Sequence, residues 1–236
     1  MNLTGKTVVI TGADGGIGTV ICKKLAEEGA KLALCSNNGE HLEEVVKELK
    51  AEYPLLSVVF AGVDVTSEKE VEAFIGKSAE KLGSFDLLLN LAGLSIPTNY
   101  TSVEEKAYDV MMDVNVKGAL LMSKYFAAHA NNPARIINIG SMAARNTNAN
   151  APIYCMAKAA VNKLSEGLLL QLGKQGILVS TVNPGGADTP FWGTRAVDRT
   201  KLMSGENVAD VILFVAHLES NIQLHSVDFE SSAKFI

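Results

Sequence analysis

Two side chains that could exchange a proton stand one helical turn apart in the second half of the chain. Tyr154 and Lys158 are four residues apart in a segment with a helical pattern, so their side chains share one face of the helix. An ammonium group beside a phenol favours the phenolate, and lowering a tyrosine pKa from about 10 to near 7 requires about 4 kcal/mol. Such a tyrosine is a candidate general acid or base near neutral pH.

Taken alone, this pair fits an ordinary exposed helix equally well. Its weight comes from other residues that follow predicted strands, since Asn90 follows the fourth, Ser141 the fifth and Pro184 the sixth. The carboxyl ends of parallel strands meet at one edge, which is where open α/β sheets bind ligands. We therefore expect these residues to converge on one site.

The elements that position them are seven short apolar or β-branched runs that alternate with helical patterns. The predicted strands are residues 7–11, 31–35, 57–64, 85–91, 135–139, 177–182 and 222–224. Repeated strand-helix-strand units with right-handed crossovers place helices on both faces of a parallel sheet. The predicted fold is α/β, a doubly wound Rossmann fold with a seven-stranded, mostly parallel sheet. We predict one domain over residues 1–236, with a substrate-loop region near 186–205.

A glycine-rich loop follows the first predicted strand and opens the first predicted helix. Residues 11–18 read TGADGGIG. In this context glycines let the backbone approach a pyrophosphate that lies on the helix N-terminus. A tight connection without a ligand is the alternative, and the place of the loop after the first strand favours a nucleotide site.

The end of the second predicted strand bears on which dinucleotide binds. An acidic residue that pairs with the ribose hydroxyls is expected there, and the sequence has Cys35, Ser36, Asn37 and Asn38 instead. Neither a carboxylate nor an arginine is present, so both NAD and NADP are candidates. Asp14 adds a negative charge nearby, which favours NAD.

With these motifs in place, the chain resembles the short-chain dehydrogenase/reductase family over essentially its whole length. The order and spacing of its motifs, with Ser141 thirteen residues before Tyr154, match the family's tetrad of Asn, Ser, Tyr and Lys. The motifs are TGxxxGIG at 11–18, Asp64-Val65-Thr66, Asn90-Leu91-Ala92-Gly93, Asn115, Ser141, Tyr154 with Lys158, and Pro184-Gly185 followed by Thr189.

The resemblance implies an NAD(P)-dependent oxidoreductase that acts on a carbonyl or secondary alcohol. Tyr154 would exchange a proton with the substrate oxygen, and Ser141 would hydrogen-bond that oxygen. Lys158 would lower the tyrosine pKa together with the cationic nicotinamide and would bind the ribose, while Asn115 would anchor a water in a proton relay. The implied cofactor contacts are Gly12, Asp14, Gly16, Ile17, Gly18, Ser36, Asn37, Asp64, Val65, Asn90, Ala92, Gly93, Tyr154, Lys158, Val182, Pro184, Gly185 and Thr189.

Simpler alternatives exist for the individual residues and for the function. Ser141 could cap the next segment, Asn115 could bond a helix backbone, and Asp64 could prepare the following helix. One competing function is an isomerising or dehydrating relative that keeps its nicotinamide bound, but those relatives are longer. Another is a non-catalytic dinucleotide-binding sensor, which would not need to keep the four tetrad residues together.

The chain departs from the family pattern near its end. The usual Thr-Gly pair before the last strand and the Asp-Gly-Gly after it are replaced by residues 221–229. The irregular stretch after Thr189 occupies the family's substrate-lid position. There we predict that Phe191, Trp192 and Met203 contact an apolar part of the substrate, the alternative being a helix that only packs on the body.

Composition and charge bear on partners. With 21 Lys and Arg against 26 Asp and Glu, the net charge of -5 and the absence of a basic run argue against nucleic acid. No apolar run reaches the roughly 20 residues that span a bilayer, so we expect no membrane partner. The three cysteines lack a CxxC pair and the four histidines lack ligand spacing, so we expect no metal and a cytoplasmic location.

The helical segment from residue 153 to residue 172 bears on assembly. Its apolar residues cover more than one stripe, so packing on the sheet would leave apolar surface exposed. A partner copy would bury that surface. We therefore expect a homodimer or homotetramer, the alternative being a helix buried within one chain.

Overall fold

The strand pattern of the sequence is realised as a twisted sheet flanked by helices. The computed structural model describes residues 2–235. The strands are β1 (Thr7–Thr11), β2 (Lys31–Ser36), β3 (Val58–Gly62), β4 (Phe85–Asn90), β5 (Ala130–Ile139), β6 (Ile177–Pro184), β7 (Ala187–Asp188), β8 (Met203–Ser204) and β9 (Ser226–Phe229). The helices are α1 (Gly18–Glu27), α2 (Gly39–Glu52), α3 (Glu68–Leu82), α4 (Glu105–Met112), α5 (Gly118–Ala127), α6 (Pro152–Leu172) and α7 (Gly205–His217).

Seven of these strands form one parallel sheet in the order β3-β2-β1-β4-β5-β6-β9. The chain starts in the middle of the sheet and winds outward first on one side and then on the other. The strand order therefore reverses beside β1, and a crevice opens there at the carboxyl ends of β1 and β4. The predicted doubly wound Rossmann fold is confirmed.

Two apolar layers hold the helices against the sheet. Residues of α1, α2 and α7 pack on one face, and residues of α3, α5 and α6 pack on the other. β1, β4 and most of β2 are fully buried, as expected of central strands covered on both faces. These strands give the loops at their carboxyl ends a fixed base.

The last strand of the sheet is not where the sequence predicts it. Residues 222–224 alternate like a strand, but the strand that pairs with β6 is β9, in the register Thr181 to Ser226 through Pro184 to Phe229. In residues 222–224, side chains rather than a neighbouring strand donate hydrogen bonds to backbone carbonyls. Arg135 donates to the carbonyl of Ile222, and Ser180 donates to that of Leu224 at 2.6 Å. The prediction for residues 222–224 is therefore wrong.

The predicted substrate loop after β6 contains short elements only. Two single-turn 3-10 helices, Pro190–Trp192 and Arg199–Lys201, lie between β7 and β8, which pair with each other in a separate two-stranded sheet. A third 3-10 turn, Ser232–Lys234, contacts the second of these turns from the C-terminal segment. Among the described helices, none is long and apolar enough to cross a bilayer.

Candidate functional site

A cleft of about 1610 Å³ runs along the carboxyl edge of the sheet, from the glycine loop to the turns after β6. This volume exceeds the roughly 300 to 1,000 Å³ of an ordinary small-molecule pocket, so two ligands can lie end to end. The predicted site residues that line the cleft are Gly12, Asp14, Gly16, Ile17, Gly18, Ser36, Asn37, Asp64, Val65, Ala92, Gly93, Ser141, Tyr154, Lys158, Pro184, Gly185, Thr189, Phe191 and Trp192.

The glycines of the loop after β1 let its backbone approach neighbouring backbone closely. Gly12 has a φ of +61°, and a Cβ there would lie 3.1 Å from the backbone of Ala92. At Gly18, the first residue of α1, a Cβ would lie 2.3 Å from the carbonyl oxygen of Gly12. No side chain caps the first turn of α1, since Ile17 holds the N-cap position. The free amides of a helix N-terminus therefore face a shallow cradle, which fits a diphosphate.

The glycine loop also touches the predicted substrate loop. A Cβ at Gly16 would lie 2.8 Å from side-chain atoms of both Thr189 and Pro190. A Cβ at Gly205, where α7 begins, would lie 2.9 Å from the carbonyl oxygen of Gly16. The base of the substrate loop thus packs directly on the diphosphate cradle.

Polar groups at the end of β2 form the outer part of the cleft. Ser36 is buried, and its hydroxyl accepts from the amide of Asn38 at 3.1 Å. Asp14 lies beside His41, with 3.2 Å between the carboxylate and Nδ1. Asp64, which follows β3, accepts from the amide and the hydroxyl of Thr66. Within residues 2–235, the cleft lining near β2 contains no arginine or lysine.

At the inner end of the cleft, Ser141, Tyr154 and Lys158 share one wall. Ser141 precedes a 3-10 turn, Met142–Ala144, and its hydroxyl accepts from the amide of Ala143 at 3.1 Å. The Lys158 ammonium is buried, lies 5.7 Å from the centre of the Tyr154 ring, and donates to the carbonyl of Ile139 at 2.8 Å. The helical spacing of Tyr154 and Lys158 on α6 thus brings both side chains to this end of the cleft.

Burial shifts both ionisable groups away from their charged forms. It raises the pKa of Tyr154 to about 12, although Ser141 and the positive charge of Arg195 partly offset the rise. Burial also lowers the pKa of Lys158 to about 8. The sequence led us to expect the lysine, together with the cationic nicotinamide, to lower the tyrosine pKa. In the protein chain alone desolvation dominates, and the groups that partly offset it are Ser141 and Arg195.

Asn115 stands behind this wall in a π-helical turn, Asp113–Lys117. Its Nδ2 donates to the carbonyls of Leu94 and Met111 at 2.9 and 2.8 Å. Its Oδ1 is buried and has no hydrogen-bond partner among the described residues. A Cβ at Gly93 would lie 2.8 Å from this Oδ1 and 3.2 Å from the Lys158 ammonium. A free acceptor and a buried ammonium therefore adjoin the same glycine.

Several predicted contacts lie outside the cleft. Asn90 is buried in the sheet, where its amide donates to Asn138 of β5 at 2.8 Å. Val182 is in the apolar core, and Met203 packs there too, because its neighbour Leu202 takes the face toward the cleft. The cofactor contact of Asn90 and the substrate contact of Met203 are not supported by this geometry.

The local hydrogen bonds that the sequence offered as simpler roles for Ser141, Asn115 and Asp64 are present in the structure. Ser141 accepts from the amide of Ala143, Asn115 donates to the carbonyl of Met111, and Asp64 bonds Thr66 before α3. Ser141 and Asp64 nevertheless also line the cleft. For these two residues, a local structural bond and a place in the site coexist.

The substrate end of the cleft contains residues that sequence reasoning missed. The ring of Phe191 lies 5.9 Å from the Tyr154 ring and 6.0 Å from the Trp192 ring. The Arg195 guanidinium packs 5.1 and 5.0 Å from the same two aromatic rings. Other lining residues that the sequence did not single out are Pro97, Met142, Asn146, Thr147, Asn148, Asn150, Leu202, Glu230 and Lys234.

A metal centre is not part of this arrangement. Within residues 2–235, no group of three His, Cys, Asp or Glu side chains lies close enough to hold a metal ion. His41 and His217 instead contact carboxylates, those of Asp14 and Glu28. The ionisable side chains that line the cleft are the carboxylates of Asp14, Asp64, Asp113 and Glu230, together with Tyr154, Lys158, Arg195 and Lys234.

Known proteins match this chain over most of its length. A family model described as short chain dehydrogenase matches residues 6–200. An uncharacterized oxidoreductase of Staphylococcus saprophyticus is 31% identical over 229 residues, which cover 96% of this chain and 97% of that relative.

Solved structures of the same kind of protein superpose on this chain over nearly its whole length. A short-chain dehydrogenase from Burkholderia cenocepacia in complex with NADP superposes with a TM-score of 0.90 at 26% identity, over 99% of this chain and 100% of that one. A short-chain dehydrogenase/reductase from Serratia marcescens gives a TM-score of 0.90 at 26% identity, over 98% of both chains. No match supports the non-catalytic sensor. The chain belongs to the short-chain dehydrogenase/reductase family and is an oxidoreductase.

Proposed function

We propose that this enzyme interconverts a carbonyl compound and its secondary alcohol with NAD(P)(H), and that Tyr154 exchanges the proton. The observation that carries the proposal is that Tyr154, Ser141 and Lys158 line the inner end of the cleft that starts at the diphosphate cradle. The dinucleotide, when bound, supplies or accepts the hydride. The residues of the chain must then hold the substrate oxygen and move its proton.

Ser141 and Tyr154 act on that oxygen. Because burial raises the pKa of Tyr154 to about 12, its phenol is protonated at neutral pH and can donate a proton to a carbonyl that is being reduced. The Ser141 hydroxyl donates a hydrogen bond to the same oxygen and stabilises the negative charge that develops there. In the oxidation direction, Tyr154 must accept a proton, so it needs help to ionise.

Lys158 and Asn115 provide that help. The Lys158 ammonium lies close enough to the Tyr154 ring to favour the phenolate, and its pKa of about 8 keeps it charged at pH 7 while leaving it able to pass on a proton. The free Oδ1 of Asn115 adjoins the same glycine as that ammonium and anchors a water between Lys158 and solvent. Tyr154, Lys158 and Asn115 thus form a proton relay.

The substrate binds against Phe191, Trp192 and Arg195. The two aromatic rings offer an apolar surface next to Tyr154, in line with the sequence prediction for Phe191 and Trp192. Two N–H groups of Arg195 donate to the carbonyls of Phe191 and Trp192, and among residues 2–235 none of its contacts is a carboxylate. Its remaining donors favour carbonyl substrates that carry an anionic group in addition to an apolar part.

The cofactor preferred is NAD. The carboxylate of Asp14 and the uncharged side chains of Ser36 and Asn37 surround the ribose end of the cleft. A 2'-phosphate placed there would meet a carboxylate without an arginine to pair with it. The Burkholderia relative was solved with NADP, so the measured affinities for NADH and NADPH decide between the two cofactors.

The enzyme assembles as a homodimer or homotetramer in the cytoplasm. On α6, the side chains of Met156 and Leu170 are 41% and 80% exposed, and Leu120 on α5 is 43% exposed. A partner copy would remove this apolar surface from water.

The cysteines bear on the cytoplasmic location. Cys22, Cys35 and Cys155 are free and buried, as suits a reducing compartment.

One experiment tests the proposed chemistry. The purified enzyme is assayed with NADH and NADPH against ketones, 2-oxo acids, sugars, steroids and 3-oxoacyl thioesters, and the best substrate is then used with Tyr154→Phe. We expect kcat to fall about a thousandfold. The Kd for NADH should stay within threefold, because the phenol is not the main cofactor contact. A variant that keeps more than a tenth of the wild-type rate would exclude Tyr154 as the proton donor.

A further inference from the structure

A line of hydrogen bonds leads from Ser141 to the opposite side of β6. The amide of Ser141 donates to Oδ1 of Asn183 at 3.0 Å, and Nδ2 of Asn183 donates to Oδ1 of Asp228 at 2.7 Å. Nε of Arg145 donates to the second oxygen of Asp228 at 2.9 Å. Asn183 is fully buried, whereas the side chains of Arg145 and Asp228 are 44% and 38% exposed. Among the residues described, Asn183, Arg145 and Asp228 all lie outside the cleft lining.

Asp228 fixes the orientation of the Asn183 amide. In the observed orientation, the amide oxygen faces an N–H group and the amide nitrogen faces a carboxylate. The flipped orientation would set the amide N–H groups against the Ser141 N–H and the amide oxygen against the carboxylate, so the buried amide of Asn183 would lose both of its partners. The acceptor offered to Ser141 is therefore set by the charge on β9.

Gly140 makes room for this amide. A Cβ at residue 140 would lie 1.9 Å from the Oδ1 of Asn183, closer than any side chain permits. The sheet register brings the partners together as well, because Asn183 and Asp228 are directly paired between β6 and β9. The amide thus occupies space that only glycine at residue 140 leaves open.

The same carboxylate also holds the far end of the turn that Ser141 starts. Ser141 is the N-cap of the 3-10 turn Met142–Ala144, and Arg145 is its C-cap. Asp228 reaches the first end through Asn183 and the second end through Arg145, which also contacts the hydroxyl of Ser226 at 3.3 Å. A turn of three residues is weak by itself. Here both of its ends are tied to one strand.

We propose that Asn183, Asp228 and Arg145 are positioning residues that hold the Ser141 hydroxyl in line with the reacting oxygen of the substrate. The strand β9 then contributes to catalysis without touching the ligands. This proposal rests on the proposed function of Ser141 for its effect on rate. The existence of the bonds themselves can be measured without any substrate.

The catalytic arm of the test uses Asn183→Ala with Asn138→Ala as its control. Asn138 is also a fully buried asparagine that donates to a hydroxyl, that of Ser165, and it does not contact Ser141. Because a displacement of about 1 Å at a reacting group lowers rates about a hundredfold, we expect kcat to fall 30- to 100-fold in Asn183→Ala. KM and the Kd for NADH should stay within threefold. Asn138→Ala should keep kcat within fivefold.

Because Asn183→Ala alters a buried residue and could unfold the protein, a second pair of variants changes partly exposed residues instead. Asp228→Asn changes a partly exposed group, and Asp210→Asn removes a comparable surface ion pair, that with Lys24, between α1 and α7. We expect kcat to fall about tenfold in Asp228→Asn and to stay unchanged in Asp210→Asn. Equal kcat in Asp228→Asn and the wild type, or an equal loss in both aspartate variants, would overturn the proposal.

The substrate-free arm measures hydrogen exchange of the Ser141 amide by NMR. We expect exchange to accelerate at least tenfold in Asp228→Asn and Asn183→Ala and to be unchanged in the two control variants. Unchanged exchange in Asp228→Asn would show that the bond does not depend on β9 and would overturn the proposal. If exchange accelerates as expected but Ser141→Ala has wild-type kcat, the failure lies in the proposed function of Ser141.

Discussion

At the diphosphate cradle the cleft is walled by backbone, whereas beside Tyr154 it is walled by side chains carried on short turns. Gly12 and Gly18 approach neighbouring backbone atoms so closely that a Cβ would lie 3.1 Å or less from them. Phe191 and Arg195 instead stand on a loop whose only helices are single turns, and Phe191 is 39% exposed. The first wall is fixed by the sheet, and the second by a few local contacts.

A cradle made of backbone leaves no side chain to exchange beside the diphosphate, so this part of the site tolerates little change. A wall made of side chains on a loop can be altered at small cost in stability. Substrate choice is therefore expected to lie in the loop. Substitutions in the cradle should therefore act mainly on cofactor binding, and substitutions in the loop mainly on substrate selection.

The largest effect is expected from Gly18→Ala in the diphosphate cradle. Its Cβ would lie 2.3 Å from the carbonyl oxygen of Gly12, so the loop must move. We expect the Kd for NADH, measured by the fluorescence of the bound cofactor, to rise at least a hundredfold. Gly167→Ala is the control, since nothing lies within 4 Å of a Cβ there and helix propensity improves. NADH affinity within threefold of the wild type in Gly18→Ala would contradict the backbone-wall model.

A smaller and selective effect is expected from Arg195→Gln at the other end. Removing the guanidinium should lower kcat/KM about tenfold for ketones that carry a carboxylate and should change it less than threefold for their methyl esters. Arg199→Gln is the control, because Arg199 lies on the same loop and pairs with Asp188. Equal losses for acids and esters would show that Arg195 supports the loop and does not select the substrate.

Cofactor choice should respond modestly to Asp14→Ser. This change removes a carboxylate from the ribose end without moving the backbone wall, so affinity for NADPH should rise about fivefold. The affinity for NADH should stay nearly constant. Equilibrium titration of both cofactors measures the ratio. A wild-type preference for NADPH of tenfold or more would refute the assignment of NAD.

The smallest signal comes from Trp192, the only tryptophan in the sequence. Its indole N–H donates to the carbonyl of Ala187 at 2.7 Å, and its ring contacts Phe191 and Arg195. Saturating substrate added to the cofactor complex should shift or quench its emission by a few per cent or more. An unchanged spectrum would place the substrate away from the aromatic wall.

The sequence brought the glycine loop, Tyr154 and Lys158 to one predicted edge of the sheet, and they line one cleft, because backbone constraints leave local signals. Residues 11–18 had to be glycine-rich, and Tyr154 and Lys158 had to be four apart on one helix. The substrate end had no such signal. Leu202 and Met203 are adjacent in the sequence, and both are apolar. Only the pairing of β8 with β7 decides that Leu202 faces the cleft and Met203 does not.

Long-range contacts explain the remaining differences. The strand predicted at residues 222–224 is displaced because Arg135 and Ser180, far away in sequence, satisfy the carbonyls there. The link between Ser141 and Asp228 spans two strands and leaves no periodic pattern. The rise in the pKa of Tyr154 depends on how deeply the ring is buried, which spacing alone does not reveal.

The contact between Gly16 and the base of the substrate loop makes the two ends of the cleft thermodynamically interdependent. Thr189 and Pro190 pack against the glycine that helps to form the diphosphate cradle. Any shift of this loop when substrate binds must therefore alter the affinity for the dinucleotide. Binding free energies are equal by either order of addition, so the dinucleotide alters the affinity for substrate by the same factor. A change in loop sequence that moves Thr189 or Pro190 will consequently also alter the strength with which the enzyme holds its cofactor.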